Sequence, residues 1–467
     1  MTAQTILPAN SVVDTGFATN SCRFDGSTSY MHKTPGSAGN TKLWTWSAWI
    51  KKSLPDGADL GIFGQYIDAN NFFRIRYRSD QRLQVDNYTS GSATFSVILG
   101  SNNEHRDISA WYHLVVAYDS AQGTDSNRVK IYVNGVLQTV FQAATYPNQN
   151  VVTTLPVDGT RIELGRTTDN QFFNGYFAEV VLIDGTALAP TSFGESDSDS
   201  GIWVPIDVSG LTFGTNGFYL DFKNSANLGN DANGGTDLTE VGLAATDQST
   251  DTCTNNFATL NPLDNFYLGG TFSEGNLKLS IDNSAVEAFT TSTIGVSSGK
   301  WYMENKIITT SSGRLYSGVV YGTAQATDDW PGGGSDQWFY RSEDGKVYNG
   351  GSEEYTGATL ADDDIVGIAL DLDNHKLYFS KNGAFQNSGD PTSGATGTGA
   401  IALDTGQTYF FAVGDSGSTA VVSSANFGSP AYAISSGNAD ANDHGNFEYA
   451  VPSGYFALNT KNLAEYG

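Results

Sequence analysis

Apolar and polar residues alternate at every second position along most of this chain, and this alternation predicts β-strands. Residues 73–78 read Phe-Arg-Ile-Arg-Tyr-Arg, so apolar and basic side chains fall on opposite faces of one half-buried strand. Residues 129–133 alternate in the same way and lead into Asn134-Gly135, a pair typical of hairpin turns. No long stretch has the 3.6-residue spacing of an amphipathic helix. The pattern therefore predicts an all-β protein.

The pattern also predicts two β-sandwich domains in tandem. A linker is expected between them because residues 224–256 are rich in Asn, Gly, Thr and Asp and have few large apolar residues. Near the end of the chain, residues 451–459 are apolar enough to dock back onto the preceding domain. The predicted segments are an arm at 1–16, a first sandwich at 17–222, a linker at 223–264, a second sandwich at 265–430 and a tail at 431–467.

Composition and charge narrow the classes of partner. A length of 467 residues allows two or three domains that each bury a core, and 53 glycines suit a β-rich chain with many turns. The net charge of −26 repels phosphate backbones, so we expect no nucleic-acid partner. No apolar run reaches membrane-spanning length and the start lacks the pattern of a secretory signal. We therefore expect no membrane partner and synthesis in a cytoplasm.

Motifs that carry chemistry are absent from the sequence. A glycoside hydrolase needs two carboxylates flanking one sugar bond, whereas Glu163 and Glu179 are single acids on apolar predicted strands. Neither a nucleophile elbow nor a Gly-rich phosphate loop is present. Only Cys22 and Cys253 are available, so no disulfide framework is expected, and whether these two pair is left open. The sequence predicts a protein without catalytic residues.

Metal ligands are equally hard to assign. The histidines have none of the close spacings of a zinc site, and structural roles are expected for the one in a predicted strand and the one in a predicted turn, His113 and His375. The remaining histidines are His32, His105 and His444.

The acidic cluster of Glu195, Asp197 and Asp199 looks at first like a calcium loop. An EF-hand would need Gly at its sixth position and Glu at its twelfth, which here are Ser200 and Ile206. We therefore predict a solvated turn. Structural calcium elsewhere on the rim of the fold stays possible without assignable ligands, and no other cofactor is expected.

Three arginines, Arg74, Arg76 and Arg78, share one face of a predicted strand at a spacing of about 6.6–7 Å. One interpretation is a ladder that binds the carboxylates or sulfates of an acidic surface polysaccharide. The other is a charge row balanced by cross-strand acids such as Asp86.

A second candidate binding surface follows from aromatic residues in or beside a long predicted loop. Asp329 and Trp330 lie in this loop, and Trp330 is expected to be exposed as an interface anchor. Trp338 and Tyr340 either join this ligand-binding surface or point into the sandwich core.

The strongest motifs of each half resemble known domain families. The first half resembles the laminin-G-like, concanavalin-A-type jelly roll through residues 111–116 (Trp-Tyr-His-Leu-Val-Val) and 131–135 (Ile-Tyr-Val-Asn-Gly). The second half resembles the SPRY domain, and the residues that carry this resemblance are 300–304, 345–350, 366–371 and 377–379.

The order of these motifs along the chain resembles virion structural proteins of tailed phages, which are often labelled tail-fibre or lectin-like. The further motifs that carry the resemblance are 177–185, 192–195, 217–222 and 254–262. It implies a non-enzymatic fibre, spike or capsid decoration located in the virion, with adhesion to a host surface or glycan. The implied partners are other virion proteins and a host polysaccharide or receptor, and the resemblance supplies no catalytic residue.

Two other classes of protein stay open. A bacterial surface lectin or adhesin predicts an export signal or an anchor, and a jelly-roll polysaccharide depolymerase predicts a carboxylate pair across a groove. For the virion protein we expect a homo-oligomer, because repetition raises avidity. A trimer is favoured, although no coiled-coil heptads support it.

Overall fold

The structure is a computed structural model that describes residues 16–53, 57–100, 105–167, 171–264, 270–281, 287–310, 313–322, 330–417 and 419–467. The chain divides into two compact units, with the boundary between Thr254 and Asn255. Each unit is a sandwich of mainly antiparallel sheets, so the predicted all-β fold with two sandwiches in tandem is confirmed. Within the described ranges, no helix is long and apolar enough to cross a membrane.

The first unit is built from strands that range from two to eleven residues in length. Its described strands are β1 (Ser21–Asp25), β2 (Tyr30–Lys33), β3 (Leu43–Lys52), β4 (Leu60–Asp68), β5 (Asn71–Tyr77), β6 (Leu83–Thr89), β7 (Ser92–Leu99), β8 (Trp111–Asp119), β9 (Val129–Val133), β10 (Val136–Leu137), β11 (Phe141–Thr145), β12 (Ile162–Leu164), β13 (Arg166–Thr167), β14 (Gln171–Phe172), β15 (Asn174–Asp184), β16 (Gly194–Ser196), β17 (Trp203–Pro205), β18 (Phe218–Leu220), β19 (Thr239–Val241) and β20 (Gln248–Ser249). Single 3₁₀ turns occupy Asp125–Asn127, Pro190–Ser192 and Ala245–Asp247.

Two sheets form this first sandwich. Sheet A has the strand order β10-β9-β8-β3-β15-β1-β20, with β18 added against β15, and sheet B has the order β11-β7-β6-β5-β4-β12-β2-β19. Aromatic side chains fill the space between them: Trp44 stacks on Tyr118 at 5.4 Å between ring centroids, and Trp46 stacks on Phe63 at 5.5 Å. The predicted Asn134-Gly135 hairpin turn joins β9 to β10, with both residues at positive φ as a type I′ turn requires.

The outer face of sheet A is covered by the chain itself. Residues 188–213 lie over Val115, Val181 and Ile183, and form one apolar cluster with them through Phe193, Val208 and Phe213. A second cluster on this face packs Trp49, Trp111 and Tyr176 with Ala18 and Cys253. Cys22 and Cys253 are both buried, free thiols.

Residues 223–264, predicted as a linker, are instead divided between the two units. Strands β19 and β20 extend the edges of sheets B and A, and Leu228 and Leu238 are buried in the first core. Polar side chains provide local hydrogen-bond partners for the backbone of this segment. The Asp231 carboxylate, for example, accepts hydrogen bonds from the backbone N–H groups of Tyr219 and Asn233. A polar composition therefore marks short edge strands here. Of the predicted arm, 1–16, only Gly16 belongs to the described residues.

The second unit has fewer described strands and contains the one described α-helix. Its described elements are β21 (Gly270–Ser273), β22 (Lys278–Ile281), β23 (Ala288–Thr291), β24 (Lys300–Thr309), β25 (Leu315–Tyr321), β26 (Gln337–Arg341), β27 (Lys346–Asn349), β28 (Ser352–Thr356), β29 (Ile365–Asp371), β30 (Lys376–Lys381), β31 (Ala384–Phe385), β32 (Ile401–Ala402), β33 (Tyr409–Asp415), β34 (Val421–Asn426), β35 (Phe456–Ala457) and α1 (Thr460–Tyr466), with a 3₁₀ segment at Pro391–Thr396.

Sheets C and D enclose the second core. Sheet C has the order β21-β22-β34-β24-β29-β30-β31, with β32 on β30 and β35 parallel to β24, and sheet D has the order β23-β33-β25-β26-β27-β28. Trp301, Ile368 and Phe411 are among the fully buried side chains between the sheets. The strands predicted at 365–371 and 376–379 are both present.

The C-terminal tail covers the outer face of sheet C, as the apolar residues of its end predict. Phe447, Tyr455 and Ala457 form one buried cluster with Tyr302 and Tyr378 of the sheet. Strand β35 pairs with β24, and the Asn459 side chain caps α1 by accepting a hydrogen bond from the Asn462 backbone N–H. The compact second unit therefore extends from 255 to 467 rather than ending at 430.

Candidate functional site

The arginine row on β5 is held in ion pairs. Arg74 is only 8% exposed and forms a two-pronged pair with Asp86 of β6, at 2.9 and 3.1 Å. Burial raises the pKa of the Asp86 carboxyl, and the hydrogen bond from Arg74 opposes that rise. The predicted balance of this row by Asp86 is confirmed, and Arg74 is not available to a polysaccharide because its guanidinium is already used.

The other two arginines are also paired. Arg76 contacts Asp59 and donates to the Gln84 side-chain oxygen at 3.1 and 2.9 Å, and Arg78 lies 3.5 Å from an Asp80 oxygen. Only Arg78 keeps about a third of its side chain exposed. The row is therefore an internal charge network of sheet B, and the ladder interpretation is corrected.

The aromatic candidates of the second unit separate into core and surface. Trp338 is 3% exposed and Tyr340 is fully buried, because both lie on the face of β26 that turns toward the core. Their assignment to a ligand surface is therefore corrected. Trp330 is half-buried and lies edge-on to the Tyr348 ring at 5.0 Å. Asp329 lies outside the described residues.

The two candidate acids of the first unit lie in different environments. Glu163 pairs with Arg166, three residues away. Glu179 lies in a β-bulge of β15, where the register against β3 shifts between Ala178 and Val181, and its φ of +49° is in the left-handed region. Its carboxylate accepts hydrogen bonds from the Ala18 backbone N–H at 3.1 Å and from the Tyr219 hydroxyl.

Burial raises the pKa of Glu179 to about 7 and also raises that of Tyr219. A raised carboxyl pKa is a common property of a catalytic acid. Glu179 is nevertheless 5% exposed and both of its oxygens have partners inside the protein. The side chain therefore anchors the segments that cover sheet A.

A buried serine–histidine pair in sheet A escaped the sequence analysis. Ser47 Oγ lies 2.9 Å from His113 Nε2, and Trp203 Nε1–H donates to His113 Nδ1 at 2.9 Å. Because an indole nitrogen only donates, Nδ1 must accept and the proton of the ring lies on Nε2, which donates to Ser47. His113 therefore cannot remove a proton from Ser47. Burial lowers the pKa of His113 to about 3, and the structural role predicted for it agrees with these contacts.

The acidic loop after β16 is a solvated turn, as predicted. Asp197 Oδ1 accepts hydrogen bonds from the backbone N–H groups of Asp199 and Ser200 and from the Ser200 hydroxyl. Among the residues that the structure describes, no group of three or more His, Cys, Asp or Glu side chains is placed to hold a metal ion.

A surface depression of about 470 Å³ lies at one end of the first sandwich. Its lining comes from three loops that are distant in sequence, at residues 38–42, 184–185 and 214–215. The Asp184 carboxylate, at the end of β15, holds these loops together. Its Oδ1 accepts from the Asn40 backbone N–H at 2.7 Å, and its Oδ2 accepts from the backbone and side-chain N–H groups of Asn216 at 3.0 and 3.2 Å.

Close approach of the backbone makes glycine necessary at two points of this depression. A Cβ at Gly39 would lie 2.3 Å from Asp184 Oδ2, and a Cβ at Gly214 would lie 2.0 Å from the Asp184 carbonyl oxygen. The loops are therefore fixed before any ligand arrives. Lys42 and Thr215 remain exposed, so an ammonium and a hydroxyl face solvent at the rim. This is a preformed, polar and shallow surface.

Comparison with known families agrees with the two folds. Residues 25–191 match a laminin G family model described as the concanavalin A-like lectin/glucanases superfamily, and residues 300–409 match the SPRY domain model. Both domain resemblances are thereby confirmed. Lectin-like and SPRY domains are binding folds that are not typically enzymatic, and together they suggest carbohydrate or protein binding of an adhesin-like kind.

Solved structures with similar folds include the SPRY domain of human HERC1 and a heptameric SAP-like pentraxin from Limulus polyphemus. The first is 19% identical, covering 36% of this chain and 96% of that one with a TM-score of 0.30. The second is 15% identical, covering 38% of this chain and 80% of that one with a TM-score of 0.27. Neither similarity carries information about a ligand of this chain. No curated protein matches the sequence.

Proposed function

We propose that this chain is a non-enzymatic binding protein that serves as a fibre, spike or capsid decoration of a tailed-phage particle. In this proposal its first unit contacts a host-surface glycan through the depression around Asp184. The observation that carries the glycan contact is a polar surface that Asp184 holds rigid without any ligand. The assignment to a virion is supported by the order of motifs along the sequence.

Rigidity favours binding because no loop has to be ordered when the ligand binds, and the polar lining favours a hydroxyl-rich ligand. Lys42 and Thr215 offer donors and an acceptor to sugar hydroxyls, whereas none of the lining residues supplies an aromatic ring for stacking. One such site binds weakly. Repetition of the protein on a particle would raise the avidity, as expected of an adhesive virion part.

The virion assignment is tested by mass spectrometry of purified phage particles and by immunogold labelling. We expect peptides of this chain in washed particles and gold at a defined position on them. If infected cells express the protein but the purified particles lack it, this assignment is contradicted.

The glycan contact is tested on a glycan array with the purified chain. We expect Lys42→Ala combined with Thr215→Ala to abolish binding, because both side chains face the depression. Thr212→Ala is the matched control, since Thr212 is exposed nearby but does not line the depression. Equal loss of binding in the control would contradict the site, and turnover of the bound polysaccharide would contradict a non-enzymatic function.

A further inference from the structure

One lateral edge of the first sandwich carries no charge. Residues 131–157 contain no Asp, Glu, Lys or Arg, although these residues make up 16% of the chain and the net charge is −26. Residues 87–103, which include the neighbouring strand β7, are also uncharged. An uncharged surface of this extent is unusual on so acidic a protein.

Both sheets end at this edge. Strand β10 is the outermost described strand of sheet A, and β11 is the outermost described strand of sheet B. Only residues 138–140 connect them, and so short a connection spans about the 10 Å that separates packed sheets. We name this surface the neutral edge and define it by residues 136–145.

Apolar groups are exposed along the neutral edge. Val136 is 64% exposed, Leu137 42% and Val140 53%. In β11, Gln142 to Thr145 are all exposed, while the strand pairs on one side with β7 and no described residue pairs with its other side. An open edge of this kind is a template for another strand.

The opposite lateral edge of the same sandwich is protected. Its outermost described strands, β19 and β20, are three and two residues long, and acidic side chains lie on or beside them at Asp237, Glu240 and Asp247. Short strands and charges are the usual means by which proteins prevent edge-to-edge association. The neutral edge has no charged residue and no proline between residues 136 and 145.

We propose that the neutral edge binds a second copy of this chain, with β11 pairing antiparallel to the partner's β11 about a twofold axis, which gives a dimer in place of the trimer expected from the sequence. Such pairing continues sheet B across both copies and covers Val140 together with the open edge of β11. A twofold contact places each surface against itself, so a charged surface would meet its own sign. On a chain of net charge −26, a surface without charge satisfies this requirement.

Sedimentation equilibrium of the full chain tests the proposal. We expect a dimer whose association strengthens as salt increases, because salt screens the repulsion between two acidic molecules. Val140→Lys combined with Ala144→Lys should raise the dimer dissociation constant at least about a hundredfold, since like charges then face each other. Ile67→Lys is the matched control, because Ile67 is 43% exposed on β4 away from the neutral edge, and it should leave the dissociation constant unchanged.

Single cysteines placed at positions 142–145 give a second measurement that does not depend on loss of binding. The two native thiols are buried, so an introduced cysteine is the accessible one. Antiparallel pairing should give a disulfide-linked dimer, and its yield should be highest for the cysteine nearest the twofold axis. A monomeric wild-type chain, a trimer, or a dimer unaffected by the lysine substitutions would overturn the proposal, as would equal cross-linking at all four positions.

Discussion

The two units cover the outer face of one sheet with their own chain, but they hold that cover in different ways. In the first unit, residue Asp251 fixes the cover of sheet A through a buried ion pair with Lys51, at 2.7 Å, and accepts from Trp111 Nε1–H at 3.1 Å. In the second unit, Glu304 of sheet C accepts from the backbone N–H groups of Glu448 and Tyr449, at 2.9 and 2.8 Å.

The two carboxylates differ in the groups that they bind, because Asp251 binds side chains and Glu304 binds the backbone. The first cover depends on the charge of particular side chains, whereas the second depends on the backbone of the tail. Backbone N–H groups are present whatever the side chains of the tail are, so the second contact tolerates sequence change in the tail better than the first does in its cover. In both units the outer sheet face is used for stability.

The largest loss of unfolding free energy is expected from Asp251→Ala in the first unit. The substitution leaves the buried Lys51 ammonium without this carboxylate, and removing one partner of a buried ion pair costs about 3–5 kcal/mol. Urea unfolding followed by tryptophan fluorescence measures the change. Glu343→Ala is the control, because it breaks an ion pair with Arg314 that is nearly half exposed and should cost less than about 1 kcal/mol. Similar losses in both variants would show that charge does not hold the first cover.

A somewhat smaller loss of unfolding free energy is expected from Glu304→Ala in the second unit. Two half-buried backbone N–H groups of the tail lose their acceptor, at about 1.5 kcal/mol of unfolding free energy for each hydrogen bond lost. Limited proteolysis should then cut within residues 431–450 faster than in the wild type, while Glu354→Ala, at an exposed position, should not change the rate. A tail that stays protected in Glu304→Ala would mean that the apolar cluster alone holds it.

Alternation along the sequence predicted the central strands because these strands bury at least one complete face. It predicted a strand at residues 73–78, where β5 is Asn71–Tyr77, and one at 365–371, where β29 has the same limits. It did not find β19 and β20, since short edge strands bury few apolar residues and satisfy their polar groups locally. Alternation also leaves open which face of a strand points inward, and this is why Trp338 and Tyr340 stayed ambiguous until the sheets were placed.

The candidate site could not be predicted from the sequence, for a different reason. The depression combines loops that end up adjacent only when β3, β15 and β18 pair, and its central residue, Asp184, follows an apolar strand like many other acids. Glu179 could be noticed as a lone acid, but its bulge depends on the register of β15 against β3. Gly39 and Gly214 both approach Asp184 closely, but they lie far apart in the sequence, so nothing local indicates that they meet.

The next effect in size is a pH dependence of stability at Glu179, which anchors the first cover. Burial raises the pKa of Glu179 from 4.5 to about 7, so the folded state binds its proton more tightly than the unfolded state. The contribution of this group to stability is then complete below pH 4.5 and is lost as the pH rises to 7. Glu179→Gln imitates the protonated acid and should be more stable than the wild type by about 2–3 kcal/mol at pH 8, with no difference at pH 4. Urea unfolding at both values measures this, and an equal difference at both would show that ionisation is not the cause.

The smallest effect is expected where the first cover touches His113. Trp203→Phe keeps an aromatic ring over the imidazole but removes the N–H that donates to His113 Nδ1, so a buried acceptor is left unsatisfied at a cost of about 1 kcal/mol. In the wild type, ¹⁵N chemical shifts should show the proton of this ring on Nε2, because Nδ1 accepts from Trp203. In Trp203→Phe no donor faces Nδ1, and the Ser47 hydroxyl can donate to Nε2 instead of accepting from it. The tautomer with its proton on Nδ1 should therefore gain population. An unchanged ¹⁵N spectrum would mean that Ser47 alone sets the tautomer and that the cover makes no specific polar contact with sheet A at this point.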